Sequence, residues 1–553
     1  MEAMEKTEDF TPEAWIARAA APDADLAHLL CDRHPRERPA LTVVRESDGR
    51  LHRETLTYGD LADRSQYLAR GLATLGIGAG DHVATLMGKS AELVVTLLAV
   101  WRLGAVHVPL FTAFAAEAIT ARTATVAALV ADAPLTAKLE PLDGPWTVVV
   151  NDTAPAAAPA RTAGPTLREL EAAGACGPPL PPARRGGDAP FVHLYTSGTT
   201  GAPKAVPVPV RAVAAFASYQ HHALDHRADD VFWNMSDPGW GYGLYQAVVG
   251  PLALGRHTLF LASRFDPALT LRVLRELHVT NFAAAPTVYR ALRNHDGPPD
   301  RPDALRCCSA AGEPLNPDLP RWAEEHLGAT IHDHYGQTEL GMVLGAPWHP
   351  GWRTQPAPGR MGPALPGWSL AVIDEHSHEV LAPGMVGHLA VDVPRSPLMW
   401  FTHYAGQQAQ GSGRFTQDGR WFLTGDLASA DGRGRFAFAG RDDDVIIMAG
   451  YRIGPLDVEN VLLEHPDIAE AAVTAVADDL RGEVLEAFVV LAPAADPATD
   501  LSAQLRDHVK ARLAAHLYPR AVHIRPSLPK TESGKVKRKQ LRHERERELV
   551  PAR

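Results

Sequence analysis

The sequence predicts an α/β fold in which a mainly parallel sheet is followed by a small antiparallel β-barrel and a compact C-terminal segment. Three observations lead there. Between Thr57 and Val108 the apolar period switches repeatedly between that of a helix and that of a strand, the pattern of βαβ units. Beyond Leu340 the chain becomes rich in Gly and Pro, with short apolar runs. A length of 553 residues at 46% hydrophobic content can bury several cores, roughly three to four structural units.

The alternation opens with a turn at Thr57 and an amphipathic helix carrying Leu61, Tyr67, Leu68 and Leu72 on one side. The Gly-rich turn Gly76–Gly80 ends it, and His82–Met87 reads as a strand. A second helix and strand follow to Val108. Between Asn151 and Pro190, Ala, Pro and Gly dominate, which predicts a mobile surface excursion. The alternation then runs to about Leu340. Leu370-Ala-Val-Ile-Asp374 and Gly387-His-Leu-Ala-Val391 read as strands of the barrel, and after Arg441 about one small domain's length remains. No internal repeat is present.

Net charge is −11, from 54 basic and 65 acidic residues, which argues against a general polyanion-binding surface and therefore against nucleic acid as a partner. The four cysteines, Cys31, Cys176, Cys307 and Cys308, lack metal-ligand spacing, and so few thiols in so long a chain read as reduced and cytoplasmic. The N-terminal residues are acidic, without the apolar core of a signal peptide. The longest apolar stretch, Leu93 to Phe111, is broken by Arg102, His107 and Pro109, so no membrane span is expected.

The most informative run is Tyr195-Thr-Ser-Gly-Thr-Thr-Gly-Ala-Pro-Lys204, directly after the apolar Phe191-Val-His-Leu194. Gly198 and Gly201 let the backbone approach an anion, the hydroxyls and N–H groups of Thr196, Ser197, Thr199 and Thr200 donate to phosphate oxygens, and Lys204 adds a point charge. It departs from the common P-loop, since four residues after Gly198 comes Pro203 and not a Gly-Lys pair. By itself the run is also compatible with a solvated turn. Five further segments follow in order: Gly312-Glu-Pro-Leu-Asn316, His332-Asp-His-Tyr-Gly-Gln-Thr-Glu339, Thr424-Gly-Asp426, the stretch from Gly440 to Ile453, and Leu528-Pro-Lys-Thr-Glu-Ser-Gly-Lys535. Each alone reads as a turn or a charged face, and the two histidines of the second invite a zinc reading that no further ligand set supports.

Together, across roughly residues 50 to 540, these segments resemble the adenylate-forming superfamily of acyl-CoA synthetases, adenylation domains and luciferases. The resemblance implies a large N-terminal AMP-binding domain of mixed α/β sheets plus a small β-barrel, residues 1–441, and a smaller mobile α+β C-terminal domain, residues 442–553. It implies ATP, Mg²⁺ and coenzyme A as cofactors, and nucleotide contacts from Thr196 to Gly201, Lys204, Gly312, Glu313, Pro314, Asp333, His334, Tyr335, Gly336, Gln337, Thr338, Asp426, Arg441 and Arg452. Asp333 would meet the adenine amino group, Tyr335 would stack on the base, Thr338 would bind the α-phosphate, and Glu339 would hold Mg²⁺. Asp426 and Arg441 would clamp the ribose, Asp443 would be the hinge, and Lys535 the catalytic lysine of adenylation. Gly450, Tyr451, Lys510 and Arg512 would face coenzyme A, although a solvated helix face also accounts for the last two.

The acyl pocket would be walled by Trp240, Gly241, Tyr242, Tyr245, Ala311 and Gly336. Acetyl-specific relatives carry Trp at the position of Gly336, Val at those of Gly241 and Ala311, and Thr at that of Tyr242. Three positions shrink and one grows, which predicts an acid larger than acetate: medium-chain, branched or aromatic; Tyr242 and Tyr245 narrowing the channel for a small or polar acid, and Asp237 receiving an amino-acid ammonium, stay open. The expected reaction is carboxylate plus ATP to acyl-AMP and pyrophosphate, then transfer to coenzyme A with release of AMP. Transfer to a carrier-protein thiol or an amine stays open at this level, luciferase-like oxidation fits the acyl-pocket segment less well, and a monomer or a homodimer is expected.

Overall fold

Local sequence signals set the first elements. The Thr57 hydroxyl accepts from the Asp60 amide at 3.1 Å while the Asp60 carboxylate accepts from the Thr57 amide at 2.8 Å, a reciprocal cap that starts the helix Tyr58–Thr74. Its buried face carries Leu61, Leu68 and Leu72, while Tyr67 is only half-buried. The strand His82–Leu86, the helix Ala91–Arg102 and the strand Val106–Pro109 follow as the alternation predicts. A computed structural model describes residues 10–153, 164–196, 203–295, 301–407, 413–442, 446–448, 451–453, 455–478, 482–492, 495–496, 501–512, 518–530 and 536–549. Ser197, Gly198, Thr199, Thr200, Gly201, Asp443, Gly450 and Lys535 lie outside the described residues.

The chain divides into two compact units. The first comprises Met1–Pro356, Gly362–Ser369 and Asp392–Arg420, the second Ala357–Met361, Leu370–Val391 and Trp421–Arg553. Two sheets build the first unit. In the eight-stranded sheet, six parallel strands lie in the spatial order Ile331–Gln337, Cys307–Ala311, Asn281–Ala284, Phe232–Asn234, Thr258–Leu261, Pro39–Ser47, with an antiparallel strand at each edge, Gly341–Gly345 and Arg50–Thr57. The inner strands Thr258–Leu261, Asn281–Ala284 and Cys307–Ala311 are buried along their whole length, as strands covered on both faces must be. Trp233, Phe282 and Tyr289 form the centre of the core beside them.

The six-stranded sheet runs Thr147–Asn151, Val126–Asp132, His82–Leu86, Val106–Pro109, Pro190–Thr196, Lys204–Pro209, parallel except for its last pair, a hairpin with Thr196 in register with Lys204. In the second unit, Leu370–Ile373, Val386–Asp392, Trp421–Ala430 and Phe436–Arg441 form a four-stranded sheet where the short apolar runs predict a barrel. A further three-stranded sheet with the helices Pro455–Leu463 and Ser502–Arg512 encloses a core of its own around Val458, Leu485 and Leu505. Among the described residues, no helix is long and apolar enough to cross a membrane.

One expectation needs correcting. Within the Ala-, Pro- and Gly-rich stretch, Leu167–Ala175 is a helix, started by a second reciprocal cap between Thr166 and Glu169 and packed on Tyr58–Thr74. Glycines allow the close approach: a Cβ on Gly71 would stand 2.3 Å from the Leu170 carbonyl oxygen, and one on Gly174 1.9 Å from that of Tyr67. Gly71→Ala should therefore destabilise the protein by about 1–3 kcal/mol, because backbone must move to admit the methyl group. Denaturant unfolding of the variant checks this; an unchanged midpoint would mean that the two helices do not meet at these glycines.

Candidate active site

The site grows out of a chain reversal. Ile331–Gln337 is an outer member of the parallel set, and its continuation turns back at once to pair as Gly341–Gly345, with Gln337 opposite Gly341. Gly341 takes up the turn at φ +74°, and the two strands approach so closely that a Cβ on Gly336 would stand 2.0 Å from the Gly341 carbonyl oxygen. Thr338 and Glu339 are thereby held at the tip, beyond the end of a parallel strand, where ligands of such sheets collect. The tip is tied down by the Tyr245 hydroxyl, which donates to the Thr338 carbonyl at 3.0 Å, and by the Trp400 indole, which donates to that of Leu340 at 3.1 Å. The opening expected beside Gly336 is not there. Its space is taken by the Gly341 carbonyl and the Met342 sulphur.

Glu339 is 4% exposed, and its Oε1 accepts from the Tyr404 hydroxyl at 2.7 Å, with Arg414 Nη2 3.9 Å away. Its second oxygen accepts no hydrogen bond among the described residues, which leaves a hard oxygen donor of the kind that suits Mg²⁺. Lys204 Nζ stands 5.2 Å from the centre of the Tyr404 ring. The Ala405 amide donates to the Ala205 carbonyl at 2.9 Å, which sets Tyr404 beside the root of the hairpin. One tyrosine thus joins the end of the phosphate-loop motif to the carboxylate of the central motif.

Around this centre the remaining expected residues take different places. Burial pushes the half-buried Asp333 carboxyl up to about 8, opposed by a hydrogen bond from the His334 backbone. Gln337 Nε2 donates to the Tyr335 hydroxyl at 3.1 Å. Glu313 is turned onto the helix Pro286–Arg293, where its oxygens accept from Thr287 at 2.8 and 2.7 Å and from Arg290 at 2.8 Å; the turn Gly312–Pro314 thus offers its backbone. His334 keeps neither ring nitrogen for a ligand. Nδ1 faces the Tyr219 hydroxyl at 2.7 Å, and Nε2 donates to the Ala346 carbonyl at 3.2 Å, which also accepts from His332 Nδ1 at 2.7 Å. His332 is engaged through Nδ1 alone, and among the described residues no group of three or more His, Cys, Asp or Glu is placed to hold a metal.

The acyl-pocket segment abuts the same tip. A Cβ on Gly241 would lie 3.5 Å from Thr338 Oγ1. Trp240 packs on Phe111 and Phe114, with ring centres 5.3 and 5.6 Å apart. Ala311 ends its strand in register with His334. Tyr245 is a core residue, stacked on Phe216 at 4.2 Å, whereas Tyr242 is half-buried. In the second unit, buried Asp426 is in register with Arg441, and the Thr424 hydroxyl accepts from the Asp426 amide at 3.1 Å. Tyr451 and Arg452 lie on the strand Tyr451–Ile453. Lys510 donates to Asp507 at 3.1 Å, and Arg512 pairs with Glu464 at 2.9 Å.

A profile described as AMP-binding enzyme matches residues 30–397, and one described as AMP-binding enzyme C-terminal domain matches residues 457–535. The chain belongs to the AMP-binding enzyme family. The rat mitochondrial acyl-coenzyme A synthetase ACSM3 is 38% identical over 353 residues, which cover 63% of this chain and 60% of that relative, so the match spans under two thirds of its length. The acetyl-coenzyme A synthetase of Bacillus subtilis (strain 168) is 32% identical over 88% of this chain and 85% of its own. Among solved structures, an acyl-CoA synthetase of Brucella canis is similar at 40% identity and a TM-score of 0.72, covering 98% of this chain and 99% of that one. A benzoate CoA ligase from Burkholderia xenovorans LB400 is similar at 27% identity and 0.80, covering 94% and 99%.

Three residues of this AMP-binding enzyme carry no sequence signal and emerge only from its folding. Tyr404 and Arg414 surround Glu339 from a segment without a motif. Lys89 donates to the Met235 carbonyl at 2.5 Å and anchors the start of the acyl-pocket segment; burial lowers its pKa, and Asp237 opposes the shift. Several buried histidines are held neutral. Desolvation lowers His226 and His332 to about 3 and His334 to about 4, and the same cause lowers His107 to about 3. Unfolding lets each take up a proton below its ordinary value of 6.5, so these imidazoles withdraw stability as pH falls from about 6.5 towards 4. Asp333, raised from 3.8 to about 8, acts in the opposite sense and withdraws stability as pH rises across that interval, but the imidazoles outnumber it. Chemical denaturation should give a lower midpoint at pH 5 than at pH 7, and equal midpoints would contradict a set of buried neutral histidines.

Proposed function

We propose that this AMP-binding enzyme is an AMP-forming carboxylate–CoA ligase that converts a carboxylate and ATP to acyl-AMP and pyrophosphate and then acyl-AMP and coenzyme A to acyl-CoA and AMP. The observation that carries the reading is the meeting of Lys204, Tyr404 and Glu339 beside Thr338, which gathers phosphate-binding groups and a metal-binding carboxylate at the end of a parallel sheet. The similar acyl-CoA synthetases and the benzoate CoA ligase support it. A carboxylate resists a thiol because its carbon is electron-rich and oxide is a poor leaving group; the nucleotide monophosphate supplies a better one.

In the first half-reaction the acid attacks the α-phosphorus and charge builds on the phosphoryl oxygens. Thr338 and the backbone of the loop at Thr199 and Thr200 donate to those oxygens, Lys204 adds positive charge, and Lys535 arrives from the C-terminal domain. Glu339 would hold Mg²⁺, which would supply positive charge to the phosphate oxygens. Asp333 and Tyr335 orient the adenine, and Asp426 with Arg441 the ribose. For the second half-reaction the C-terminal domain rotates about Asp443, so that the segment Gly450–Arg452 replaces Lys535 and admits the thiol. The functional boundary is accordingly placed at the hinge, with residues 1–441 and 442–553 moving against each other. The acid is larger than acetate, with small residues at Gly241 and Ala311 as the supporting feature. The four free thiols support a reduced, cytoplasmic setting.

Pyrophosphate exchange across a panel of carboxylates, with and without coenzyme A, tests the reaction. AMP should be released catalytically only when coenzyme A is present; release driven instead by an amine or a carrier protein would replace the acceptor, and no exchange with any acid would remove the function. Lys535→Ala should reduce exchange about a hundredfold to a thousandfold, by analogy with loss of one oxyanion donor, while thioester formation from supplied acyl-AMP persists. Equal loss of both half-reactions in a folded variant would contradict the division of labour.

A further inference from the structure

At the acyl-pocket segment a chain of three hydrogen bonds has only one possible direction. The Ala346 carbonyl accepts and cannot donate, so His334 carries its proton on Nε2, 3.2 Å away. The imidazole is neutral, since desolvation lowers it to about 4, and Nδ1 is therefore an acceptor. The Tyr219 hydroxyl, 2.7 Å from Nδ1, must spend its proton there. Its oxygen can then only accept from the Tyr242 hydroxyl at 3.0 Å. Reversing the chain would need a proton on Nδ1, which would leave a lone pair on Nε2 facing the Ala346 oxygen. Tyr219 and His334 are 2% exposed each, whereas Tyr242 is half-buried and ends the chain next to Gly241, whose surroundings include Thr338. Tyr242 makes no other hydrogen bond among the described residues.

We propose that Tyr242 presents only lone pairs to the acid, so that the enzyme selects acids whose tail carries a hydrogen-bond donor, a hydroxyl or an amino group, over matched acids bearing an ether oxygen or a halogen there. Tyr219 and His334 act as positioning residues that fix the polarity of this contact. The proposal rests on the ligase reading and names its substrate class. A donor on the tail completes the chain, while an acceptor meets lone pair with lone pair and leaves a desolvated polar group unsatisfied.

The test measures kcat/KM by pyrophosphate exchange for benzoates and phenylpropanoates substituted at matched ring positions with hydroxyl, amino, methoxy or fluoro groups. In the unaltered enzyme, at one ring position at least, donor-bearing acids should exceed their methoxy and fluoro counterparts by about two- to tenfold, the range of a net neutral hydrogen bond. Tyr242→Phe should bring that ratio close to one. Tyr219→Phe leaves Tyr242 in place but releases its proton, and the preference should shift towards methoxy acids, an inversion that a change of pocket shape alone would not produce. Circular dichroism establishes that each variant is folded, and if Tyr219→Phe does not fold, Tyr242→Phe decides alone. The same donor-to-acceptor ratio in the unaltered enzyme and in Tyr242→Phe overturns the proposal, whereas absence of exchange with every acid removes the underlying reading instead.

Discussion

The reversal of the backbone between Gln337 and Gly341 governs much of the first unit's chemistry. Because the Gly341 carbonyl lies where any side chain at position 336 would begin, the two strands close tightly, and Thr338 and Glu339 are held at the tip of the reversal. The Tyr245 and Trp400 donors fix that tip against the core. A carboxylate carried there, 4% exposed yet with one oxygen unengaged by the described residues, is costly to desolvate without a partner, and a cation brought by a phosphate would repay that cost.

Behind the tip the protein removes charge. Histidines are neutral because burial disfavours the imidazolium, and Asp333 is raised because burial disfavours its anion. Neutral groups in a dry interior hold their protons at fixed atoms. That is why the Ala346, His334, Tyr219 and Tyr242 chain has a single polarity: each donor has one proton and each proton one acceptor. The same reasoning separates the charged rim at Lys204, Glu339 and Arg414 from the uncharged wall at Tyr242 and Ala311.

Much of this was legible in the amino acids. Capping signals, apolar period and turn residues announce the alternation from Thr57 to Val108, and the short apolar runs announce the four-stranded sheet, since these are local properties of the chain. The helix Leu167–Ala175 was obscured by Ala- and Gly-rich composition: its apolar face is short, Leu167 and Leu170, and it is seated by close packing against Gly71 that only the fold provides. The motif around Asp333 to Glu339 was legible as a segment, but the role of Gly336 was misjudged: its missing side chain admits a neighbouring strand.

Which chemical groups this chain can offer is written in its sequence, because Lys204, Thr338, Glu339 and the glycines near them declare their chemistry by type and spacing. What those groups face is a matter of tertiary structure. Tyr404 reaches Glu339 across 65 positions of chain, and Tyr219 reaches His334 across 115. No local pattern encodes such encounters, since the direction of a hydrogen bond and the ionisation of a buried group depend on neighbours that only the folded sheet assembles.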